Sequence, residues 1–228
     1  MNKVIYFLKK WIPKGALIPF GIVFTYQCFG YFITQIFVVK KDCYDFTTYF
    51  DRQVPLIPQF VYIYLICYVF WIVNEMIAGV VSKEHFYNGL TVSIIGNTIA
   101  TITFILVPTT IVRPDLADTG LSNWILQFVY NMDQPVNLFP SIHCFVSWLC
   151  YIVVRKQSAF SKGYRIFSFI FAVLICISTQ VLKQHYIVDA ISGIFMAELL
   201  WIIVSKGNLY KPVMQLFEGI NRRLKIDW

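Results

Sequence analysis

Long apolar runs separated by short polar segments dominate the hydrophobic pattern of this chain. A helix that crosses the hydrocarbon core of a bilayer needs about 20 apolar residues, with about 17 as the lower limit. Six runs reach that length, and they cover residues 15–39, 53–74, 86–112, 134–154, 166–182 and 184–205. The pattern therefore predicts an all-α polytopic membrane protein with six transmembrane helices in one bundle.

Shorter segments with one apolar face predict helices that lie in the membrane interface. Residues 121–132 show the clearest stripe, with apolar residues at i, i+3, i+4 and i+7. A helix there would either gate the access of lipids or anchor the chain at the interface. Similar apolar stripes occur at both ends of the chain. We therefore predict one domain, 1–228, that consists of a basic interfacial segment 1–14, a six-helix core 15–205 and an amphipathic cytoplasmic tail 206–228.

The composition agrees with this class. Hydrophobic residues make up 58% of the chain, the mean hydropathy is +0.64 and only 14% of the residues are charged, which excludes a soluble globular domain. Most of the 19 Lys and Arg residues lie before residue 15, between 155 and 165, and after 205. Basic residues mark cytoplasmic loops, so we expect an integral protein of the cell membrane with both termini in the cytoplasm. Topology and attraction to anionic lipid account for the charge, and no nucleic-acid partner is needed.

Ionisable residues stand at the edges of several spans, where they are energetically costly and mark functional sites. One stretch reads Asn137-Leu-Phe-Pro-Ser-Ile-His-Cys144, and another reads Lys183-Gln-His-Tyr-Ile-Val-Asp189. His185 and Asp189 are four residues apart, so on a helix they share one face. The carboxylate can then hold the imidazole in one tautomer and stabilise its charged form. This arrangement is typical of a catalytic histidine, and it predicts that His185 is reactive.

The alternation of the spans brings these groups to one side of the membrane. Arg113 follows span three, and Lys183 begins the loop that leads into span six. Ser141 and His143 begin span four, so all of them are expected at the extracytoplasmic face. The set suits an anionic, membrane-embedded substrate such as a lipid phosphate. Arg113 can bind phosphate through two donors, and Ser141 with the first backbone N–H groups of span four, at Ile142, can cap the anion.

Three blocks of the sequence resemble the signature blocks of the type 2 phosphatidic acid phosphatase superfamily, which also includes vanadium haloperoxidases. They are Arg113-Pro114, Pro140-Ser-Ile-His143, and Ser178 followed by His185 and Asp189. The sequence around the second and third blocks is similar to the branch that contains inositol phosphorylceramide and sphingomyelin synthases. The resemblance implies a membrane-embedded lipid phosphatase or phosphotransferase.

The resemblance also implies a two-step displacement and roles for particular residues. His185 is the expected nucleophile that forms a phosphohistidine, and Asp189 orients it. His143 is expected to protonate the leaving alcohol and then to activate water or an acceptor alcohol. Arg113, Ser141 and backbone amides are expected to stabilise the phosphate oxygens. The implied partners are a membrane lipid phosphate and, for transfer, a lipid alcohol, with no metal ion or other cofactor.

Three positions depart from the superfamily pattern. Its first-block lysine is Leu106 here, its second-block glycine is Ile142, and its third-block arginine is Thr179. Because two cations are missing, we expect Lys183 to bind phosphate and to replace in part the arginine that is missing at Thr179. If the fifth helix continues through its outer end, positions 179 and 183 share a face. A lysine that snorkels to the interface is an equally simple interpretation.

Two other functions use some of the same residues. His143, His185 and Asp189 are types of side chain that coordinate zinc, although Arg113 and Lys183 beside them would disfavour a metal ion. A lipid transporter or flippase would use these groups only to bind headgroups, but the paired broken helices of many transporters are not visible in the sequence. Turnover by purified protein separates an enzyme from a transporter, and a chelator separates histidine chemistry from metal chemistry.

Overall fold

The computed structural model describes residues 13–38, 42–117 and 119–228, and the regular secondary structure in these residues is helical. The helices, numbered in chain order, are α1 Lys14–Val38, α2 Tyr49–Gln53, α3 Val61–Ile77, α4 Lys83–Leu106, α5 Leu121–Met132, α6 Ile142–Arg155, α7 Lys162–Val181, α8 Ile187–Gly207 and α9 Tyr210–Arg223. Short 3-10 turns flank α3 at Pro58–Phe60 and Ala78–Val80. Most of the interfacial segment predicted for residues 1–14 lies outside the described residues.

Five of the described helices are long and apolar enough to cross a membrane, namely α1, α3 with its flanking turns, α4, α7 and α8. The remaining predicted span corresponds to α6, a shorter apolar helix of 14 residues. The prediction of an all-α polytopic membrane protein is confirmed.

The short helix α6 lies at the centre of the bundle. Buried residues surround most of its circumference, as is typical of a core helix, and it packs against α3, α4, α7 and α8. Gly96 of α4 permits one of these contacts, since a side chain there would overlap the ring of Phe145. The packing fixes the first turn of α6, where the second signature block ends.

The third predicted span, 86–112, is helical only as far as Leu106. Pro108 disfavours helical backbone at the residue before it, so the helix ends early. The residues that follow are irregular, and the peptide N–H of Thr110 donates to the carbonyl of Tyr44 over 2.9 Å. Arg113 therefore lies on an extended segment beyond the helix.

The fourth predicted span, 134–154, becomes helical only at Ile142. Pro135 and Pro140 lack the N–H group that a helix interior requires. The irregular residues before Ile142 run beside the segment that carries Arg113, and the Thr110 hydroxyl donates to the carbonyl of Pro135 over 2.7 Å. Two signature blocks are joined in this way.

The fifth span ends at Val181, so the premise that α7 continues through Lys183 is wrong. Lys183 has a φ of +51°, a left-handed conformation that interrupts a right-handed helix. The N–H groups of Gln184 and His185 both donate to the carbonyl of Thr179, over 2.9 and 3.2 Å. This turn reverses the chain and places His185 just before α8.

The amphipathic helices pack at the two ends of the bundle. α5 has the predicted bounds, and the Tyr130 hydroxyl of α5 donates to the carbonyl of Leu182 over 2.7 Å at the end of α7. At the opposite end, Glu218 of α9 pairs with Lys83 of α4 over 2.6 Å. The end that carries α5 also carries the signature residues.

Candidate active site

His185 and Asp189 form the predicted pair. The Nδ1 atom of His185 donates to the Oδ2 atom of Asp189 over 3.2 Å, and the same oxygen accepts the backbone N–H of Tyr186 over 3.0 Å. Asp189 is fully buried, whereas His185 is 8% exposed. Because Nδ1 carries the proton, Nε2 carries the lone pair, and the described residues provide no hydrogen bond to Nε2.

The pKa of His185 is raised above its ordinary value. Burial acts to lower it, since a charged imidazole loses solvation. The hydrogen bond and the negative charge of Asp189, together with neighbouring charges such as that of Asp133, outweigh burial and raise the pKa. His185 is therefore more basic than a free imidazole.

His143 lies opposite His185, with 5.8 Å between the ring centroids. Its ring stacks on Tyr64 of α3 at a centroid distance of 4.5 Å and lies 5.3 Å from the ring of Trp71. The Tyr68 hydroxyl is 3.5 Å from the Nε2 atom of His143. Aromatic side chains of α3 thus hold His143 where both imidazoles can reach one phosphoryl group.

The first turn of α6 presents free N–H groups. Ser141 is the N-cap, and its hydroxyl accepts the N–H of Cys144 over 3.3 Å while its own N–H donates to the carbonyl of Asp189 over 3.2 Å. The N–H groups of Ile142 and His143 have no partner among the described residues, as expected for a helix start. Ser141 therefore caps the helix, and the N–H of Ile142 remains free for an anion.

Gly193 allows α8 to approach α6 directly. A Cβ atom at this position would lie 2.6 Å from the carbonyl oxygen of Ser141 and 3.0 Å from the backbone nitrogen of Phe145. Only glycine fits at such distances from another backbone. The contact sets the separation between the helix ends that carry His143 and His185.

Arg113 is held from two sides but keeps unused donors. Its Nη1 atom donates to the carbonyls of Tyr130 and Asp133, over 3.2 and 2.5 Å, and its Nη2 atom donates to the Oε1 atom of Gln184. The guanidinium also lies 4.5 Å from the centroid of the Tyr130 ring. Its Nε atom is buried and unpartnered among the described residues, so a donor remains for phosphate.

The ammonium group of Lys183 donates to the carbonyls of Asp51 and Val54, over 2.9 and 2.5 Å. The Asp51 carboxylate accepts the N–H of Ile187 over 2.7 Å. These bonds tie the loop that carries His185 to the segment around α2. Lys183 therefore has a clamping role in the structure, and its predicted contact with phosphate stays a prediction.

Gln184 is a site residue that the sequence reasoning missed. It is 3% exposed, its Oε1 atom holds Arg113, and its Nε2 atom is buried with no partner in the described part of the chain. A neutral amide between a lysine and a histidine carries no sequence signal of its own. The missing arginine at Thr179 was the available clue, because it left a position for another donor.

Asp133 was not predicted as a site residue, yet it lies beside Arg113. Its carboxylate accepts hydrogen bonds from the Tyr31 hydroxyl, over 2.5 Å, and from the Nε2 atom of Gln35, over 3.1 Å. Its backbone carbonyl holds Arg113. The available signal was an acidic residue at the end of an amphipathic helix.

Each of the two site histidines lies in the wall of a different cavity. An apolar cavity of about 320 Å³ lies between α1, α3, α5 and α6, and His143 and Asp133 are part of its wall. A polar cavity of about 390 Å³ includes His185, Lys183 and Asp51. Because the two imidazoles are close, the site adjoins a space suited to acyl chains on the side of His143 and a space suited to water or a headgroup on the side of His185.

The sequence model of the PAP2 superfamily matches residues 49–203, which include both histidines, Asp189 and Arg113. The chain belongs to the PAP2 superfamily. This membership supports an enzyme of the phosphatase or phosphotransferase type that acts on a lipid phosphate. Comparisons with curated proteins and with solved structures found no match.

Proposed function

We propose that this protein is a membrane-embedded lipid phosphatase or phosphotransferase that works through a phosphohistidine on His185. The observation that carries the proposal is the pair of imidazoles, His185 and His143, facing one small space with Asp189 behind the first. A nucleophile backed by a carboxylate and facing a second acid–base group is what a two-step displacement requires.

In the first step, the Nε2 lone pair of His185 attacks phosphorus. An N–P bond forms, and the P–O bond to the lipid breaks. His143 gives its proton to the departing oxygen, so the lipid leaves as a neutral alcohol. Asp189 stabilises the positive charge that develops on the His185 ring.

In the second step, His143 takes a proton from water or from an acceptor alcohol. The oxygen of that molecule attacks phosphorus, the N–P bond breaks, and His185 is restored. Water gives free phosphate, and a lipid alcohol gives a new phospholipid. The likeness to the branch of inositol phosphorylceramide and sphingomyelin synthases favours an alcohol acceptor.

Three unpartnered donors support a phosphate position between the histidines. They belong to the Nε of Arg113, the backbone N–H of Ile142 and the Nε2 of Gln184. Charge developing on equatorial oxygens is stabilised by donors that are fixed in advance. Gln184 would supply the phosphate contact that an arginine at the position of Thr179 supplies in other members of the superfamily. Gln184 lies next to that position, because its backbone N–H donates to the carbonyl of Thr179. Ser141 would act by fixing the first turn of α6.

The site is proposed to face the extracytoplasmic side of a cell membrane, with both termini in the cytoplasm. The support is the distribution of Lys and Arg, which favours the cytoplasm for the loop between α6 and α7 and for α9. Lipids would then reach the apolar cavity sideways, past exposed residues such as Phe32, Leu65 and Phe128 that stand in its wall.

The test offers purified protein phosphatidic acid and phospholipids, each with and without diacylglycerol or ceramide, and measures free phosphate and new phospholipid. A ³²P-labelled substrate should label the protein with an acid-labile, alkali-stable phosphoryl group. The label and the turnover should both be absent in His185→Ala. His85→Gln is the matched control, because His85 contacts the carbonyl of Val153 over 2.8 Å, away from this site.

The result also separates the alternatives. No group of three His, Cys, Asp or Glu side chains within the described ranges is arranged to hold a metal ion, and we expect turnover to persist in a chelator and to be inhibited by vanadate. Loss in chelator with recovery in zinc would favour metal chemistry. Wild-type turnover in His185→Ala would contradict the nucleophile assignment, and lipid movement across vesicles without any product would favour a transporter.

A further inference from the structure

The apolar cavity contains hydrogen-bonding groups that the phosphate chemistry does not use. Asp133 and Gln27 are both in its wall. The Nε2 atom of Gln27 is buried and has no partner among the described residues. Gln27, Tyr31 and Gln35 follow one another at i, i+4 and i+8, so they form a polar stripe along α1. A space meant for hydrocarbon alone would not be lined in this way.

The carboxylate of Asp133 is only half satisfied. Its Oδ1 atom accepts both described hydrogen bonds, from Tyr31 and from Gln35. The Oδ2 atom has no hydrogen-bond partner among the described residues. Burial raises the pKa of Asp133, while the Tyr31 hydroxyl and the charges of Arg113 and His185 partly offset that effect. The carboxylate therefore lies in the wall of the apolar cavity, and it is close enough to Arg113 and His185 for their charges to affect its pKa.

The neighbours of Asp133 restrict what its free oxygen can bind. A second phosphate would be repelled by the carboxylate. An ammonium group would be disfavoured by Arg113, whose Nη1 atom lies 2.5 Å from the Asp133 carbonyl oxygen. A neutral donor meets neither obstacle, and a carboxylate oxygen in the wall of an apolar cavity needs a donor. In a glycerol lipid close to its phosphate, the neutral donor is a hydroxyl group.

We propose that Asp133 binds a free hydroxyl group of a lipid held in the apolar cavity and so selects hydroxyl-bearing lipids. The proposal rests on the proposed function, because it specifies the lipid of that reaction. The hydroxyl belongs either to the phosphorylated lipid or to the lipid alcohol that accepts the phosphoryl group. The chemistry at Asp133 is the same in both cases.

The first arm of the test compares two phosphorylated lipids, 1-acylglycerol 3-phosphate and its 2-deoxy analogue. If the hydroxyl is on the substrate, wild-type protein should prefer the glycerol lipid in kcat/KM by roughly ten- to a hundredfold, as for a hydrogen bond to a charged group. Asp133→Ala should bring that ratio close to one.

The second arm uses the 2-deoxy lipid phosphate as donor and 1-acylglycerol as acceptor, because one hydroxyl of 1-acylglycerol can accept the phosphoryl group while the other stays free for Asp133. If the hydroxyl is on the acceptor, the ratio of transferred product to free phosphate should fall roughly tenfold or more in Asp133→Ala. The first arm should then show no preference in either protein. A fall in either ratio supports the inference and identifies the source of the hydroxyl.

Tyr31→Phe is the matched control for a purely structural role. It removes one of the two hydrogen bonds between α1 and Asp133, since Gln35 still donates to the carboxylate, and it leaves the carboxylate in the cavity. It should therefore keep the discrimination that Asp133→Ala loses. If Asp133→Ala does not fold, Asp133→Asn keeps the size of the side chain and an oxygen for Tyr31, and its ratio should still be reduced. Both ratios unchanged in the folded Asp133 variant would overturn the inference while the proposed function stands. Absence of turnover in wild-type protein with every lipid would overturn both.

Discussion

The Asp189 carboxylate contributes to the basicity of His185, and the pH dependence of turnover should report this contribution. Asp189 raises the pKa of His185 against the effect of burial, so the unprotonated nucleophile is lost at a higher pH than for a free imidazole. Asp189→Asn removes this effect. The acid limb of kcat/KM should therefore move to lower pH, while the plateau rate falls by roughly 10³- to 10⁴-fold, as when an orienting carboxylate is lost.

The measurement uses the same lipid phosphate with both proteins, because the phosphate monoester itself titrates in this range. Its contribution is common to the two profiles, and the difference between the acid limbs then belongs to the protein. An acid limb at the same pH in Asp189→Asn would assign it to a group other than His185.

Gln184 has two roles that substitution can separate, because its two terminal atoms face different partners. Gln184→Glu keeps an oxygen for Arg113 but loses the free Nε2 donor, and Gln184→Leu loses both. If Nε2 binds phosphate, we expect both variants to lose roughly 10²- to 10³-fold in kcat and to bind vanadate weakly. Near-normal kinetics in Gln184→Glu, with a defect only in Gln184→Leu, would reduce Gln184 to a support for Arg113.

Whether a site residue could be predicted from the sequence depends on how local its geometry is. His185 and Asp189 meet because of an i, i+4 spacing, which needs no knowledge of the fold. Lys183 was predicted to face phosphate on the premise of a continuing helix. Lys183 itself has a left-handed backbone conformation, and its ammonium group donates to carbonyls of the α2 segment. Asp133 depends on contacts with α1 almost a hundred positions away. Local periodicity does not predict contacts between residues so far apart in the sequence.

At the scale of elements, the approach of α8 to α6 depends on Gly193. In Gly193→Ala the new methyl group would overlap the backbone of Ser141, so the two helices must separate. We expect destabilisation of about 1–3 kcal/mol and a loss of roughly a hundredfold in kcat/KM, since small misplacements of reacting groups are costly.

The control is Gly21→Ala in α1, where a Cβ atom would meet no other atom within 4 Å. Thermal unfolding in detergent and turnover of phosphatidic acid are measured for both variants. If Gly193→Ala keeps the wild-type rate, the contact between α6 and α8 does not set the distance between the histidines.

The helices themselves followed from apolar run length, but several of their ends did not. An apolar run extends through residues that proline excludes from a helix, so the runs 86–112 and 134–154 were longer than α4 and α6. The stripe at 121–132 gave the bounds of α5 directly, because polar residues limit an amphipathic helix on both sides. One segment lost from the apolar runs leads directly to Arg113, and the other carries Ser141. Arg113 and Ser141 therefore lie just outside the regular helices.

At the scale of the whole molecule, the alternation of α3, α4, α6, α7 and α8 brings the end of α4, the start of α6 and the end of α7 together. The hydrogen bonds between Arg113, Asp133 and Gln184 show that these ends meet. The basic loop between α6 and α7 lies at the opposite end of α6. The basic loop and the site residues thus lie at opposite ends of the helix bundle.

This separation gives the final prediction, which concerns the side of the membrane that the site faces. Thr119 is exposed near the site, and Ser158 is exposed in the basic loop between α6 and α7. In a Cys43→Ser background, a cysteine at position 119 should react with an impermeant thiol reagent in intact cells, whereas one at position 158 should react only after lysis. The background protein without either cysteine measures labelling of the remaining thiols. The reverse pattern would place the site in the cytoplasm, and its lipid phosphate would then have to come from the inner leaflet.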